Sequence, residues 1–249
     1  MPRQSDFPEA RMSRWNPETI AFSLLLTLTF TLFLFAGGAM LEALGLKSLD
    51  WVEVARGKMQ SDDPAIRLQG AKLLTTIDDS SLTTLHRSLL NDPSQAVRRA
   101  AIEGLRTRQA PHFLDFHLKA LSDPVTSLRQ LAVENLNHTG TAPWVGEALL
   151  KALSDYQPRV QTLALETAVR SYLPKSADRR FAEPLQFLAT DPRPAVRSLA
   201  VKGLGLLRDP SAQPVLERLA GVDPDPEIRE GAERALTQIA RLTPNQHTQ

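Results

Sequence analysis

Catalysis starts from a few residue types, and this sequence is sparing with them. It has no cysteine, which removes thiol nucleophiles, thiolate metal sites, iron–sulfur clusters and disulfides. Its five histidines, His86, His112, His117, His138 and His247, form no HExxH motif and no i, i+4 pair. His112 and His117 are five residues apart and would face different directions on a helix. There is no G-x-S-x-G, phosphate-binding loop or G-x-G-x-x-G; Gly203-Leu204-Gly205 lacks the third glycine and falls within an apolar helical pattern. The acidic pairs Asp62–Asp63 and Asp78–Asp79 sit at turn signals and read as helix caps, not as an acid/base couple. No nucleophile has a base at an informative spacing, so no catalytic, cofactor or metal site and no small-molecule substrate is expected. The chain reads as a binding protein and not as an enzyme.

What recurs with chemical meaning is a pair of opposite charges. Asp92, Asp123, Asp191 and Asp223 each open an Asp-Pro dipeptide, and Arg98, Arg129, Arg197 and Arg229 follow six residues later. The full phrases are DPSQAVRRAAIEGL, DPVTSLRQLAVENL, DPRPAVRSLAVKGL and DPDPEIREGAERAL, with weaker copies as DYQPRVQTLALETA from Asp155 and DDPAIRLQGAKLL from Asp62. Aligned, the charged position holds Arg67, Arg98, Arg129, Gln161, Arg197 and Arg229, at steps of 31, 31, 32, 36 and 32 residues. A period in the low thirties with two helical segments per unit predicts an all-α fold, a solenoid of six helical hairpins over residues 50–242.

The elements that position these charges follow from three columns. Ile66, Val97, Leu128, Val160, Val196 and Ile228 are aliphatic. Four residues on stand Gly70, Ala101, Ala132, Ala164, Ala200 and Ala232, and four further Leu74, Leu105, Leu136, Ala168, Leu204 and Leu236. At about 100° per residue they make one stripe on the second helix of each hairpin, and the small column lets neighbouring helices approach closely. Glu233 interrupts the apolar arc in the last copy, as a capping unit requires. First helices are predicted at 51–60, 81–90, 111–121, 143–153, 178–188 and 212–219. Each Asp-Pro is expected to start a second helix, Asp as N-cap and Pro as first helical residue. The extra residues Leu173-Pro174-Lys175-Ser176 fit an enlarged loop or a slight change in superhelical path. The recurring Arg sits inside the apolar arc, where a charge is costly unless paired. A ladder of Asp–Arg hydrogen bonds between neighbouring repeats, through Asp92, Arg98, Asp123, Arg129, Asp191, Arg197, Asp223 and Arg229, would satisfy both; Gln161 and the altered spacing of the first repeat put two rungs in question.

This pattern of DP, V-R, A and L in register resembles the HEAT-repeat family, in particular the short bacterial HEAT-like repeats also found in phycobilisome lyase subunits. The resemblance covers about Asp50 to Leu242 and implies a protein-binding scaffold. It also supplies a rival of another class, a lyase-like enzyme subunit for chromophore attachment, against which stands the lack of a catalytic group. The outer face of the second helices carries Leu68/Lys72, Arg99/Glu103, Gln130/Glu134, Thr162/Glu166, Ser198/Lys202 and Glu230/Arg234. Arg99, Glu103, Gln130, Glu134, Thr162, Glu166, Ser198 and Lys202 form the concave, partner-binding face expected of such a stack. Glu103, Glu134 and Glu166 make it mildly acidic, and the net charge is only +1, so a peptide or basic protein segment fits better than nucleic acid. A merely solvated face, in a protein that serves as a structural spacer, is the plainer alternative.

From Thr19 to Leu41 the chain carries no charge, and 23 helical residues at about 1.5 Å each span about 35 Å. The segment is expected to be a transmembrane anchor contacting the lipid bilayer, after a tail at 1–18 and before a linker at 42–49; residues 243–249 form a second tail. The competing reading is a secreted protein whose residues 1–38 are a cleaved signal peptide, with small residues at Ala36-Gly37-Gly38-Ala39. The apolar run exceeds the usual 7–15-residue core of such peptides, and Asp6, Glu9 and Glu18 make the region before it acidic as well as basic. Arg3, Arg11 and Arg14 before the segment nearly balance Lys47, Arg56 and Lys58 after it. Arg14 at the membrane edge favours an inner-membrane protein with periplasmic repeats, the cytoplasmic arrangement being the alternative.

Overall fold

The computed structural model describes residues 50–74, 77, 80–107 and 111–241. The anchor expected at 19–41, both tails, the linker, Asp78–Asp79 and His247 lie outside the described residues. Among the described residues no helix is long and apolar enough to cross a membrane.

The described chain is helical throughout and forms six hairpins. The first helices are α1 (Trp51–Met59), α3 (Thr83–Leu89), α5 (Leu114–Ala120), α7 (Pro143–Leu153), α10 (Ala182–Leu188) and α12 (Gln213–Val222). Their partners are α2 (Pro64–Leu73), α4 (Gln95–Gly104), α6 (Thr126–Leu136), α8 (Pro158–Thr167), α11 (Pro194–Leu207) and α13 (Pro226–Ala240). Four of the first helices open through a single 3-10 turn, at Ser80–Leu82, Pro111–Phe113, Arg179–Phe181 and Pro210–Ala212. Asp178 and Asp209 start two of these by accepting the N–H of Arg180 and Ser211. Each second helix packs on the one before it, so α2, α4, α6, α8, α11 and α13 form a continuous stack.

The stack is held by the stripe the sequence displays. Val97, Leu128, Val160, Val196 and Ile228 are buried, as are all six residues of the small column. Only Ile66 in the first repeat and Leu236 in the last open towards solvent, because among the described residues each has a neighbouring repeat on one side. Glu233 is exposed.

Two local expectations are corrected. The Asp of Asp-Pro is not the helix N-cap in most repeats. Asp92 accepts the Ser94 N–H, and the N-cap is Ser94; the same offset holds at Asp123, Asp191 and Asp223. A carboxylate that binds the N–H two residues on closes an Asx turn, which uses up the following Pro before the helix begins. The prolines at the first helical position are Pro64, Pro158, Pro194 and Pro226, and the first and last second helices add true caps in Asp63 and Asp225. Nor do the extra residues after α8 make a loop. The helix runs on through a π turn at Ala168–Tyr172 into α9 (Leu173–Ser176), and ends at Ala177 with a left-handed φ of 47°. A π turn inserts one residue without breaking the helix, and the added turn of α9 takes up most of the rest of the 36-residue step.

Candidate functional site

The ladder arginines occupy the edge where the hairpins turn. Arg98 donates from Nε to Asp123 Oδ2 at 2.7 Å and from Nη2 to Oδ1 at 3.3 Å, while its Nη1 donates to the Asp92 and Pro93 carbonyls at 2.8 and 3.2 Å. One guanidinium thus clamps its own turn and grips the Asp of the next repeat bidentately. Arg197 does the same to Asp223, at 2.8 and 3.0 Å. So does Arg67 to Asp92, at 2.6 and 3.1 Å, so the rung at the altered first repeat is present. Arg129 reaches Asp155, at 2.6 and 3.1 Å, with the Tyr156 ring 4.6 Å from its guanidinium carbon. Each Asp therefore serves the Arg of the preceding repeat, and its own repeat's Arg only through a carbonyl.

Two members depart from this scheme. Arg229 bonds only the carbonyls of Asp223 and Pro224, because among the described residues no further Asp follows. Asp191 meets no arginine from the fourth repeat, where Gln161 replaces it. Instead Arg193, two residues beyond Asp191, bonds Asp191 at 2.8 Å through both Nε and Nη2 and reaches back to Gln161 Oε1 at 2.6 Å. The rung is rebuilt from the other side, by a cation that enters from the turn itself. Arg193 carries no repeat signal of its own in the sequence, whereas Asp155 opens the weaker fourth copy, DYQPRVQTLALETA, outside the ladder expected from the sequence.

These contacts set the charge state of the edge. Burial alone would raise Asp92, but the Arg67 guanidinium, the Ser94 N–H and the Arg98 charge outweigh it and hold the carboxyl below its usual range. Arg193 lowers Asp191 and Arg197 lowers Asp223 in the same way, in each case against burial. The edge is a run of ion pairs.

The outer face of the second helices is the remaining surface that could do chemistry. Arg99 and Glu103 bond each other at 3.1 Å. Gln130, Glu134, Thr162 and Glu166 line one open cleft of about 550 Å³ between α6 and α8, together with Pro158, Arg159, Leu163 and Arg193. Ser198 and Lys202 lie apart from these, in a second cleft of about 340 Å³ between α11 and α13 that also holds Glu227 and Arg234. The face is thus divided into two clefts of mixed charge, the central one with Glu134 and Glu166 beside Arg159 and Arg193. Among the described residues no group of three or more His, Asp or Glu side chains is placed to hold a metal ion. His86 is buried with Nε2 at 2.7 Å from the Ala101 carbonyl, a polar link within the second hairpin, and Asn135 Nδ2 donates to the Ile102 carbonyl at 2.6 Å, a polar link between repeats.

No curated protein matches the sequence. Among solved structures, an engineered protein aligns with a TM-score of 0.50 and 18% identity, over 78% of this chain and 98% of its own. An archaeal HEAT-like repeats protein from Thermococcus onnurineus aligns at 0.49 and 13%, over 78% and 94%. The complex of CpcE and CpcF of phycocyanin lyase from Nostoc aligns at 0.45 and 16%, over 96% and 82%. At such identities the likeness concerns the fold alone. The HEAT repeats model matches residues 50–137 and 181–244, well over half of the sequence. The chain belongs to the HEAT-repeat family.

Proposed function

We propose that this protein is a docking scaffold, tethered by residues 19–41 to a bilayer, whose second helices hold a segment of another protein by binding and not by catalysis. The observation that carries the reading is the central cleft, where residues that stacking does not require, Gln130, Glu134, Thr162 and Glu166, converge on one open volume of about 550 Å³. Glu103, Glu134 and Glu166 fall at the same place in three successive repeats. Packed helices lie about 8–10 Å apart and an extended chain advances about 3.3 Å per residue, so one repeat matches about three peptide residues. A basic segment with a cation at every third position fits that spacing. The tether is supported by the 23 uncharged residues from Thr19 to Leu41.

The test is recovery of a stoichiometric partner from solubilised membranes, by the natural chain and by the triple variant Glu103→Lys, Glu134→Lys, Glu166→Lys. Retention should fall at least tenfold in the variant. An unchanged set of bound proteins refutes the cleft. A compartment-sensitive reporter at the carboxy terminus decides independently on which side of the membrane the repeats lie.

A further inference from the structure

The repeat itself defines what stacking needs in its plainest form, so a residue that departs from its column calls for another reason. Two such departures meet at one place. Four residues before the turn Asp, the other repeats carry Ser88, Lys119, Lys151 and Leu219, polar or, in Leu219, buried. The fifth repeat carries Phe187, 74% exposed and in no ring contact. Gln161, the one ladder position without an arginine, faces it. Both line a pocket of about 490 Å³ whose walls are Leu153, Pro184 and Leu188, and whose rim carries Glu183. The shorter Gln leaves room where a guanidinium stands in the neighbouring joints.

We propose that this pocket is a second docking site, which takes an aliphatic side chain and an adjacent arginine from a segment of a partner protein. The aliphatic group fills the space between Leu153, Pro184 and Leu188. The arginine is recognised by Glu183 and Phe187, which stand i, i+4 on α10 and present a carboxylate and a ring from one face. Glu183 is the one charged residue lining the pocket and forms no ion pair among the described residues. Arg193 lies behind Gln161 with its charge already matched by Asp191 at 2.8 Å, so the pocket presents net negative charge to its guest. The proposal rests on the protein-docking reading but not on the second-helix cleft, from which the Arg193–Gln161 contact separates it.

The test uses the full chain in detergent, carrying the triple charge reversal that disables the cleft. It is probed with arrays of random heptapeptides whose central residue is fixed as arginine, aspartate or alanine. Arginine-centred peptides with a neighbouring Leu, Ile or Phe should be selected. Phe187→Ser, which installs the residue that Ser88 provides in the second repeat, should cut that signal at least tenfold with an unchanged melting temperature. Glu183→Arg should shift the preference to aspartate. Absence of arginine selection in this background overturns the proposal, and so does arginine selection that survives Phe187→Ser. Failure of the cleft alone shows instead in the natural chain, as an unchanged signal on charge reversal.

Discussion

Replacing Arg129 with Met tests the ladder where it is best buried. The Arg129 side chain is 3% exposed and that of Asp155 7%. The substitution keeps most of the aliphatic packing but removes two hydrogen bonds to Asp155, at 2.6 and 3.1 Å, and two to the Asp123 and Pro124 carbonyls, at 2.8 and 3.3 Å. Removing one partner of a buried ion pair costs about 3–5 kcal/mol, because the other charge is left without water or counterion. Asp155 keeps the Gln157 N–H at 2.8 Å, which places the expected loss at the low end, about 3 kcal/mol. In a domain of this size that is about 6–12 °C of melting temperature. Arg67→Met, where the side chain is 17% exposed, should lose less. The assay is urea unfolding followed by circular dichroism, with Asp155→Asn and the double variant completing a cycle. A loss below about 1 kcal/mol for Arg129→Met, or a coupling energy under about 0.5 kcal/mol, would mean that the stack does not depend on its guanidinium clamps.

Acid should act on the same edge. Asp92, Asp191 and Asp223 on this edge have folded values below the ordinary 3.8, as does Asp178 at the start of the fifth hairpin's first helix. Their contribution is therefore present above that value and is withdrawn as pH falls through the lower folded ones, so the melting temperature should drop below about pH 4. A curve that stays flat from about pH 5 down to about pH 3 contradicts this sign. Ala177 and Arg208 end their helices with φ of 47° and 51°, where a side chain is strained, so Ala177→Gly and Arg208→Gly should each raise stability by about 0.5–1 kcal/mol in the same urea assay.

What the sequence made legible was whatever stacking demands at every joint. The aliphatic and small columns read directly because each must be filled six times over, and the ladder read because a charge inside an apolar arc needs a partner. The direction of the ladder did not, since Asp92 and Arg98 lie six residues apart on the chain while the bidentate partner of Arg98 is Asp123, 25 residues on. The Asp-Pro turns were misplaced by two residues because an Asx turn and an N-cap use the same side chain on the same N–H donors. The outer face was legible as a set of positions but not as clefts, because which of them converge depends on how far neighbouring helices splay.

The fourth hairpin shows what the regular joints conceal. Residues 138–180 fall outside the family match, and the departures cluster there: Gln161 for Arg, Tyr156 for Pro, a π turn and a left-handed Ala177. Each is compensated. Arg193 replaces the missing guanidinium, and Tyr156 covers Arg129. Tyr172 donates to Asp178 at 2.9 Å, Asp178 pairs with Arg180 at 2.6 Å, and Arg180 ties back to the Pro143 carbonyl at 2.9 Å, all over Gly146, where a side chain would collide with this cluster. A hairpin that only had to stack would need none of these repairs, since its neighbours achieve the same packing with the plain repeat. Local rules broken and then mended are the mark of a place where something besides folding sets the residues. Both the carboxylate-bearing cleft and the Phe187 pocket border this hairpin, so the irregular unit, and not the regular ones, is where a partner should be sought first.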